Sequence, residues 1–303
     1  MIDMSFWQKI WNKVLYGWDL NCINNDLFLM IDVSHWIVKP SMFIEEKFAQ
    51  MVEQLDLKGI IFKISDANKS TGQLFVDSTA TFWYELAVKY NLLRGGYHWL
   101  QASVDPTVAY KYYNGWIKDH PLNVPHIIDF EERSIKSASD ILWRLEVMLD
   151  LCGDDSIIYT SKGYILYLKN MLDRSVWTQK ISHIAQYTLW LAWYSRYWPK
   201  EVWPWAKNAW QVWQYSAGAD YPIYKDQDNK DGLNWGFQAH GLDMNWIKKD
   251  YYNMLISANI NNNGLDDQGI GDEPGSGDDN TLMSIGDRVD RLEITARSHG
   301  WIL

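Results

Sequence analysis

The residues best equipped for chemistry lie in one short run, Ile127-Ile128-Asp129-Phe130-Glu131-Glu132. Pro125 and His126 lead into β-branched residues, and then acids alternate with an aromatic, the pattern of a buried strand leaving a core and ending in carboxylates. Side chains on a strand alternate faces, so Asp129 and Glu131 point the same way, with Cα atoms about 6.6–6.8 Å apart. Two carboxyls held so close can protonate a leaving oxygen and assist at the neighbouring carbon, the minimum equipment for acid-catalysed glycoside cleavage. The spacing fits both retaining and inverting separations once side-chain torsions are free, so it leaves the role of Asp129 open. Taken alone, the run reads first as a strand end whose acids meet solvent, and only its place in the chain turns the reading toward catalysis.

Positioning these acids requires a scaffold, and the chain shows one. Leu27–Ser34, Gly59–Ser65, Arg94–Leu100, His126–Glu131 and Ser156–Thr160 read as strands. Helical patterns follow each of them, near Ile44–Leu55, Thr79–Asn91, Pro106–Lys118, Ser139–Leu151 (with Ser137 or Ser139 as N-cap) and Tyr164–Leu172. Beyond that the rhythm changes: Leu189–Tyr194, Trp210–Tyr215 and Gly241–Asn245 look like strands without full helices between them. Five β-α units plus about three more strands give an α/β fold, an irregular TIM-like parallel barrel.

Chemistry in such barrels gathers at the C-terminal ends of the strands. Acids at strand ends are Asp32 on the first strand, Asp66 after the second, Asp129 and Glu131 on the fourth, and Asp243 on the last. Closure makes the first and last strands neighbours, so Asp32 and Asp243 would lie side by side, across the mouth from Asp129 and Glu131. Crowded like charges raise the pKa of at least one carboxyl, as a general acid working near neutral pH requires.

The 303 residues are 47% hydrophobic and 22% charged, an ordinary globular balance. The formal charge of −10 owes much to Asp266, Asp267, Asp272, Glu273, Asp278 and Asp279, within a stretch free of Lys and Arg. Nothing basic clusters, so nucleic acid is not an expected partner. Cys22 and Cys152 match no metal or disulfide framework, and no cofactor or metal is expected. The 19 Trp residues suit core and rim packing, and aromatic faces also stack on sugars.

These features divide the chain into an amphipathic helical extension (1–26), the barrel (27–258), an acidic Gly/Asn/Asp linker (259–281) and a C-terminal heptad helix (282–303). Phe6, Trp7, Ile10, Trp11, Val14 and Trp18 recur at helical spacing in the first, which lacks the basic start and unbroken apolar run of a signal peptide. In the last, Leu282, Ile285, Val289, Leu292, Ala296 and His299 form a seam short enough to need a partner, by self-association or attachment. No stretch reaches the roughly 18 apolar residues of a membrane span.

Together MIDVSHW, Gly95-Gly96-Tyr97-His98, IIDFEE, IIYTS, LWLAWY, WQVWQYS and GLDMNW, in that order, resemble the lysozymes of glycoside hydrolase family 25 over about residues 27–256. The resemblance implies a barrel of five β-α units and three further strands. It implies cleavage of the β-1,4 bond between N-acetylmuramic acid and N-acetylglucosamine, with bacterial peptidoglycan strands as the partner. Carried over by motif, Glu131 is the general acid, Asp129 steadies the substrate's acetamido group in a substrate-assisted route, and Asp32 and Asp243 complete an acidic floor. Tyr97, Tyr159 and Trp213 are candidate subsite residues, and His98, Trp99 and Asp66 stand beside them as further candidate contacts. A lone His inside a barrel strand is more often a hydrogen-bonded structural residue.

The chain also departs from the family. Lys63-Ile64-Ser65-Asp66-Ala67 stands where members usually carry Lys-Ala-Ser/Thr-Glu-Gly, and Leu29-Met30 where a glycine often precedes the first strand's apolar-Asp pair. Residues 216–240 are long for the family, and Asp226, Asp228 and Asp231-Gly232 within them miss the spacing of a calcium loop. A family 18 chitinase would need Asp at position 127, which is Ile. A catalytically inert sugar-binding or structural barrel in a larger assembly is the alternative. A wall-lytic enzyme lacking an export signal further suggests a phage or prophage lysin made in the host cytoplasm.

Overall fold

The computed structural model describes residues 26–263 apart from 38, 134–136, 195–198, 200–203, 207–208, 218–231, 233–234 and 238–240. The expected N-terminal helix, the linker beyond 263, the heptad helix and the Asp226–Gly232 loop lie largely or wholly outside the described residues.

Among the described residues nine strands form one sheet: β1 (Leu27–Val33), β2 (Gly59–Ala67), β3 (Leu74–Val76), β4 (Leu93–Trp99), β5 (Ile127–Asp129), β6 (Ile157–Ser161), β7 (Thr188–Ala192), β8 (Trp210–Ala217) and β9 (Asp243–Lys248). Their order is β1-β9-β8-β7-β6-β5-β4-β2-β3, and a parallel β1–β2 pairing closes all but β3 into a barrel. Helices α1 (Glu45–Gln54), α2 (Ala80–Lys89), α3 (Pro106–Asp119), α4 (Ala138–Cys152), α5 (Lys162–Asn170) and α6 (Arg174–Ile184) are interspersed, and α7 (Lys249–Asn263) follows the last strand. This is the irregular α/β barrel expected from the sequence.

Local chemistry starts several of these helices. Asp105 caps α3 by accepting from the amides of Thr107 and Val108, with Pro106 in the first turn. Ser137 caps α4 through the amide of Asp140, which resolves the choice between Ser137 and Ser139. Strands covered on both faces are buried nearly throughout, as in β2 and β6.

The structure differs from the sequence reading at five points. The fourth expected strand ends its ladder at Asp129 instead of Glu131. The β6–β7 connection holds a second helix, α6, and β2 is flanked by the short antiparallel β3. The last strand runs antiparallel to both neighbours, so Asp243 opens β9 instead of ending it. Finally, α7 continues to Asn263, past the expected boundary at 258, and sends Tyr251 and Leu255 into the inner apolar cluster at the barrel's lower end.

The interior is layered. Met30, Ile61, Ile127, Ile157, Val212 and Ile247 form an apolar lower layer. Two residues along each of these strands, toward the mouth, stand Asp32, Lys63, Asp129, Tyr159, Gln214 and Asn245. The polar layer thus rests on an apolar plug, and strand periodicity alone lifts it to the rim. On β4, Gly96 turns outward against Ile64, whose side chain leaves no room for a Cβ, and the hydroxyl of Tyr113 donates to its carbonyl at 2.6 Å.

Candidate active site

A cavity of about 250 Å³ opens above the polar layer. Asp32, Lys63, Tyr97, Trp99, Asp129, Glu131, Tyr159, Trp190, Tyr194, Gln214 and Asp243 line it, with Ser34, Trp36 and Ile37 along one side. The opposite end of the barrel has a hollow of about 270 Å³, but among its lining residues only Asp155 is acidic. Of these two linings, the carboxylates converge in the one at the C-terminal ends of the parallel strands.

Each acid arrives by a different device. Asp32 and Asp243 are direct cross-strand partners on β1 and β9. The antiparallel course of β9 brings its first residue to the same rim as the last residues of the parallel strands. Asp129 closes β5, paired in register with Trp99 and Tyr159. Alternation continues past the strand: Phe130 turns outward onto Tyr164, at 5.0 Å between ring centroids, Glu131 lines the cavity, and buried Glu132 pairs with Lys69 at 3.3 Å.

The β1 side of the cavity is densely wired. Oδ2 of Asp32 accepts from Nδ2 of Asn245 at 2.7 Å and Nε2 of Gln214 at 2.9 Å. Oε1 of Gln214 accepts from the hydroxyls of Tyr159 and Tyr194, each at 2.8 Å. Oδ1 of Asn245 accepts from Nε1 of Trp190 at 2.7 Å. Even with two donors on it, burial pushes the Asp32 carboxyl up to about 6.

The β5 side is different. Asp129 is buried, and its Oδ1 has no hydrogen-bond partner among the described residues. Burial first, and the Glu131 charge second, push its carboxyl well above the usual range. Burial also raises Glu131, while Lys63 and then Arg133 pull it back. Lys63 is the cation in this acidic mouth: its Nζ meets Oδ2 of Asp66 at 2.9 Å and lies 4.6 Å from the Trp99 ring centroid. Burial raises the phenol of Tyr97, with Asp129 the largest of the charges adding to it.

Of the residues singled out in the sequence, Asp32, Asp129, Glu131, Asp243, Tyr97, Trp99 and Tyr159 share this cavity. Three do not line it. Trp213 is fully buried on the outer face of β8 and donates to the Trp193 carbonyl at 2.7 Å. His98 also faces outward, with Nδ1 2.9 Å from Oγ of Ser65, and burial lowers it to about 4, so it is a neutral packing residue. Asp66 sits behind Lys63, held further by Gln101 at 3.0 Å and the Ala67 amide at 2.7 Å. Lys63, Gln214, Trp190, Tyr194 and Trp36 were not singled out. Counting alternate residues from Asp129 and Asp32 along the neighbouring strands would have found the first three.

Comparison with known proteins agrees with this architecture. Residues 31–222 match glycosyl hydrolases family 25. Among curated proteins, an uncharacterized protein YegX of Escherichia coli (strain K12) is 25% identical over 208 residues. That alignment covers 67% of this chain and 65% of YegX, so the chain spans just under two thirds of that relative. Among solved structures, the Clostridium perfringens spore cortex lytic enzyme SleM superposes with a TM-score of 0.55 at 14% identity, covering 73% of this chain and 67% of that one. A muramidase from Acremonium alcalophilum superposes with a TM-score of 0.50 at 18% identity, covering 76% and 99%. These structures share the barrel fold, and with the match over residues 31–222 the chain belongs to glycosyl hydrolase family 25.

Proposed function

We propose that this chain hydrolyses peptidoglycan, cleaving the β-1,4 bond between N-acetylmuramic acid and N-acetylglucosamine. The supporting observation is the pair at the end of β5: Glu131 on the cavity wall with a raised carboxyl, beside Asp129, whose buried oxygen lacks a donor among the described residues. In this reading Glu131 passes its proton to the glycosidic oxygen as the bond from that oxygen to the anomeric carbon breaks. The substrate's acetamido oxygen bonds to the anomeric carbon, and Oδ1 of Asp129 accepts the acetamido N–H, supplying the partner it lacks. The Glu131 carboxylate then takes a proton from the water that opens the cyclic intermediate. Asp32 and Asp243 face the pair and stabilise the positive charge that develops at the anomeric carbon.

The test is digestion of purified sacculi followed by mass spectrometry of the products, which identifies the cleaved bond from the new reducing end. Glu131→Gln is expected to lower kcat by roughly 10²–10⁴-fold, the usual contribution of a general acid, with an unchanged circular dichroism spectrum. Equal hydrolysis by wild type and Glu131→Gln rejects the mechanism. Binding of sacculi without hydrolysis would instead favour an inert sugar-binding barrel.

A further inference from the structure

Trp36 combines two properties that rarely coincide. At 78% relative exposure it exceeds every other exposed large hydrophobic residue among those described, yet it lies on the wall of the catalytic cavity. A solitary exposed aromatic is ordinary on a protein surface. This one is held in place. It belongs to a turn directly after β1, in which the Ile37 amide donates to the Ser34 carbonyl at 3.0 Å. The preceding residue, His35, meets Oδ2 of Asp77 twice, through its amide at 3.1 Å and through Nδ1 at 2.5 Å. Asp77 is itself buried, and its other oxygen accepts from the amide and hydroxyl of Thr79 at 2.9 and 2.7 Å. The His35 ring also rests against the indole, with centroids 4.4 Å apart.

A hydrogen-bonded turn thus presents an indole to solvent at the edge of a carboxylate-lined cleft, across from β5. A platform fixed in advance loses little conformational entropy when a ligand arrives. An indole face is flat, apolar and weakly negative, and it suits the C–H face of a pyranose ring. It offers no charge to bind an ion.

We propose that Trp36 is a stacking platform for a further N-acetylated sugar unit of the glycan strand, outside the bond that is cleaved, on the β1–β2 side of the mouth. The proposal rests on the glycan-cleaving reading above. It assigns the chain a preference for longer strands, set on the wall opposite Asp129 and Glu131.

The experiment uses peptide-free glycan strands in a length series from disaccharide to octasaccharide. On the longer strands Trp36→Ala is expected to raise KM about tenfold, the weight of a modest binding contact, while kcat stays within about twofold. The shortest strands should show no difference, and Trp36→Tyr should restore most of the lost affinity. An unchanged KM on long strands overturns the proposal, as does a loss confined to kcat. Calorimetric titration of the same strands into the intact chain separates this from the parent reading. If the wild type cleaves nothing, lower affinity in Trp36→Ala still supports the platform, and equal affinity removes it.

Discussion

The two walls of the candidate catalytic cavity are built on opposite principles. On the β1–β9–β8 side, Asp32 is satisfied by Asn245 and Gln214, whose own carbonyls are filled by Trp190, Tyr159 and Tyr194. On the β5 side, Asp129 is equally buried, yet one of its oxygens has no donor among the described residues. A buried polar atom without a partner costs about 1–3 kcal/mol, and a fold retains that cost where a ligand can relieve it. The wired wall holds a carboxylate still, while the open wall keeps one ready. Strain of this kind at a functional site is expected, because stability is given up there for chemistry.

The largest effect should come from closing the open wall. Asp129→Asn keeps the shape and removes the ionisable group, and the amide can present a donor where the proposed mechanism needs an acceptor. Kcat on sacculi is expected to fall by roughly 10²–10³-fold, the range for removing one positioned hydrogen-bonding group that stabilises the transition state. The urea midpoint at pH 7 should hold steady or rise, since the desolvation penalty of the carboxylate is gone. A drop in stability with little loss of activity would reverse the roles given to the two walls.

The next test compares the walls through pH. Asp32 binds its proton more tightly in the fold, at about 6, than in the unfolded chain, at about 3.9. Between those values the native state holds more protons, so the stabilisation from this group is complete below pH 4 and is lost as pH rises through 6. A shift of about two units corresponds to roughly 2–3 kcal/mol. Urea midpoints measured from pH 4 to 7 should show Asp32→Asn gaining on the wild type across that window, whatever fixed cost the substitution carries. Parallel curves would mean that the donors from Asn245 and Gln214 offset burial completely.

How much of this was legible beforehand depended on counting strand positions. Asp129 and Glu131 could be paired because the apolar run before them fixes which face points inward. The same parity carries Tyr97, Trp99 and Tyr159 to the cavity. Trp213 and His98 were chosen for residue type, against parity: each lies between two inward residues of its strand and faces the outer core. Gln214, one step from Trp213, was the position the rule selected. Asp243 reached the expected place by an unexpected route, because no local pattern distinguishes an antiparallel closing strand from a parallel one. The pairing of Lys63 with Asp66 depends on a register shift in β2 between Lys63 and Ser65, which spacing alone does not reveal.

Smaller effects probe how the wired wall is connected. Gln214→Leu preserves bulk but withdraws one donor from Asp32 and the shared acceptor from Tyr159 and Tyr194. Leaving buried partners unsatisfied costs about 1–3 kcal/mol per group. Asp32 keeps Asn245 and Tyr194 is only part-buried, so Tyr159 bears most of that cost and a loss of about 2–3 kcal/mol in urea unfolding is expected. The Asp32 carboxyl should also rise further, because one of the hydrogen bonds opposing its burial is gone.

Trp190→Phe should do least, and it isolates a single link. Nε1 of Trp190 donates to Oδ1 of Asn245, whose amide nitrogen in turn donates to Asp32. Phenylalanine keeps an aromatic ring near Tyr159, now 4.6 Å from Trp190 between centroids, and removes only the donor with part of the ring. A loss of about 1 kcal/mol in stability is expected, the net worth of one hydrogen bond. With its carbonyl free, Asn245 can turn or tilt, and its grip on Asp32 should slacken, so the pH at which Asp32 titrates should move upward. NMR titration of the Asp32 carboxyl in wild type and Trp190→Phe reads this directly. If the carboxyl titrates at the same pH in both, the wall is a set of independent contacts, and the contrast with the β5 side reduces to which oxygen has a donor.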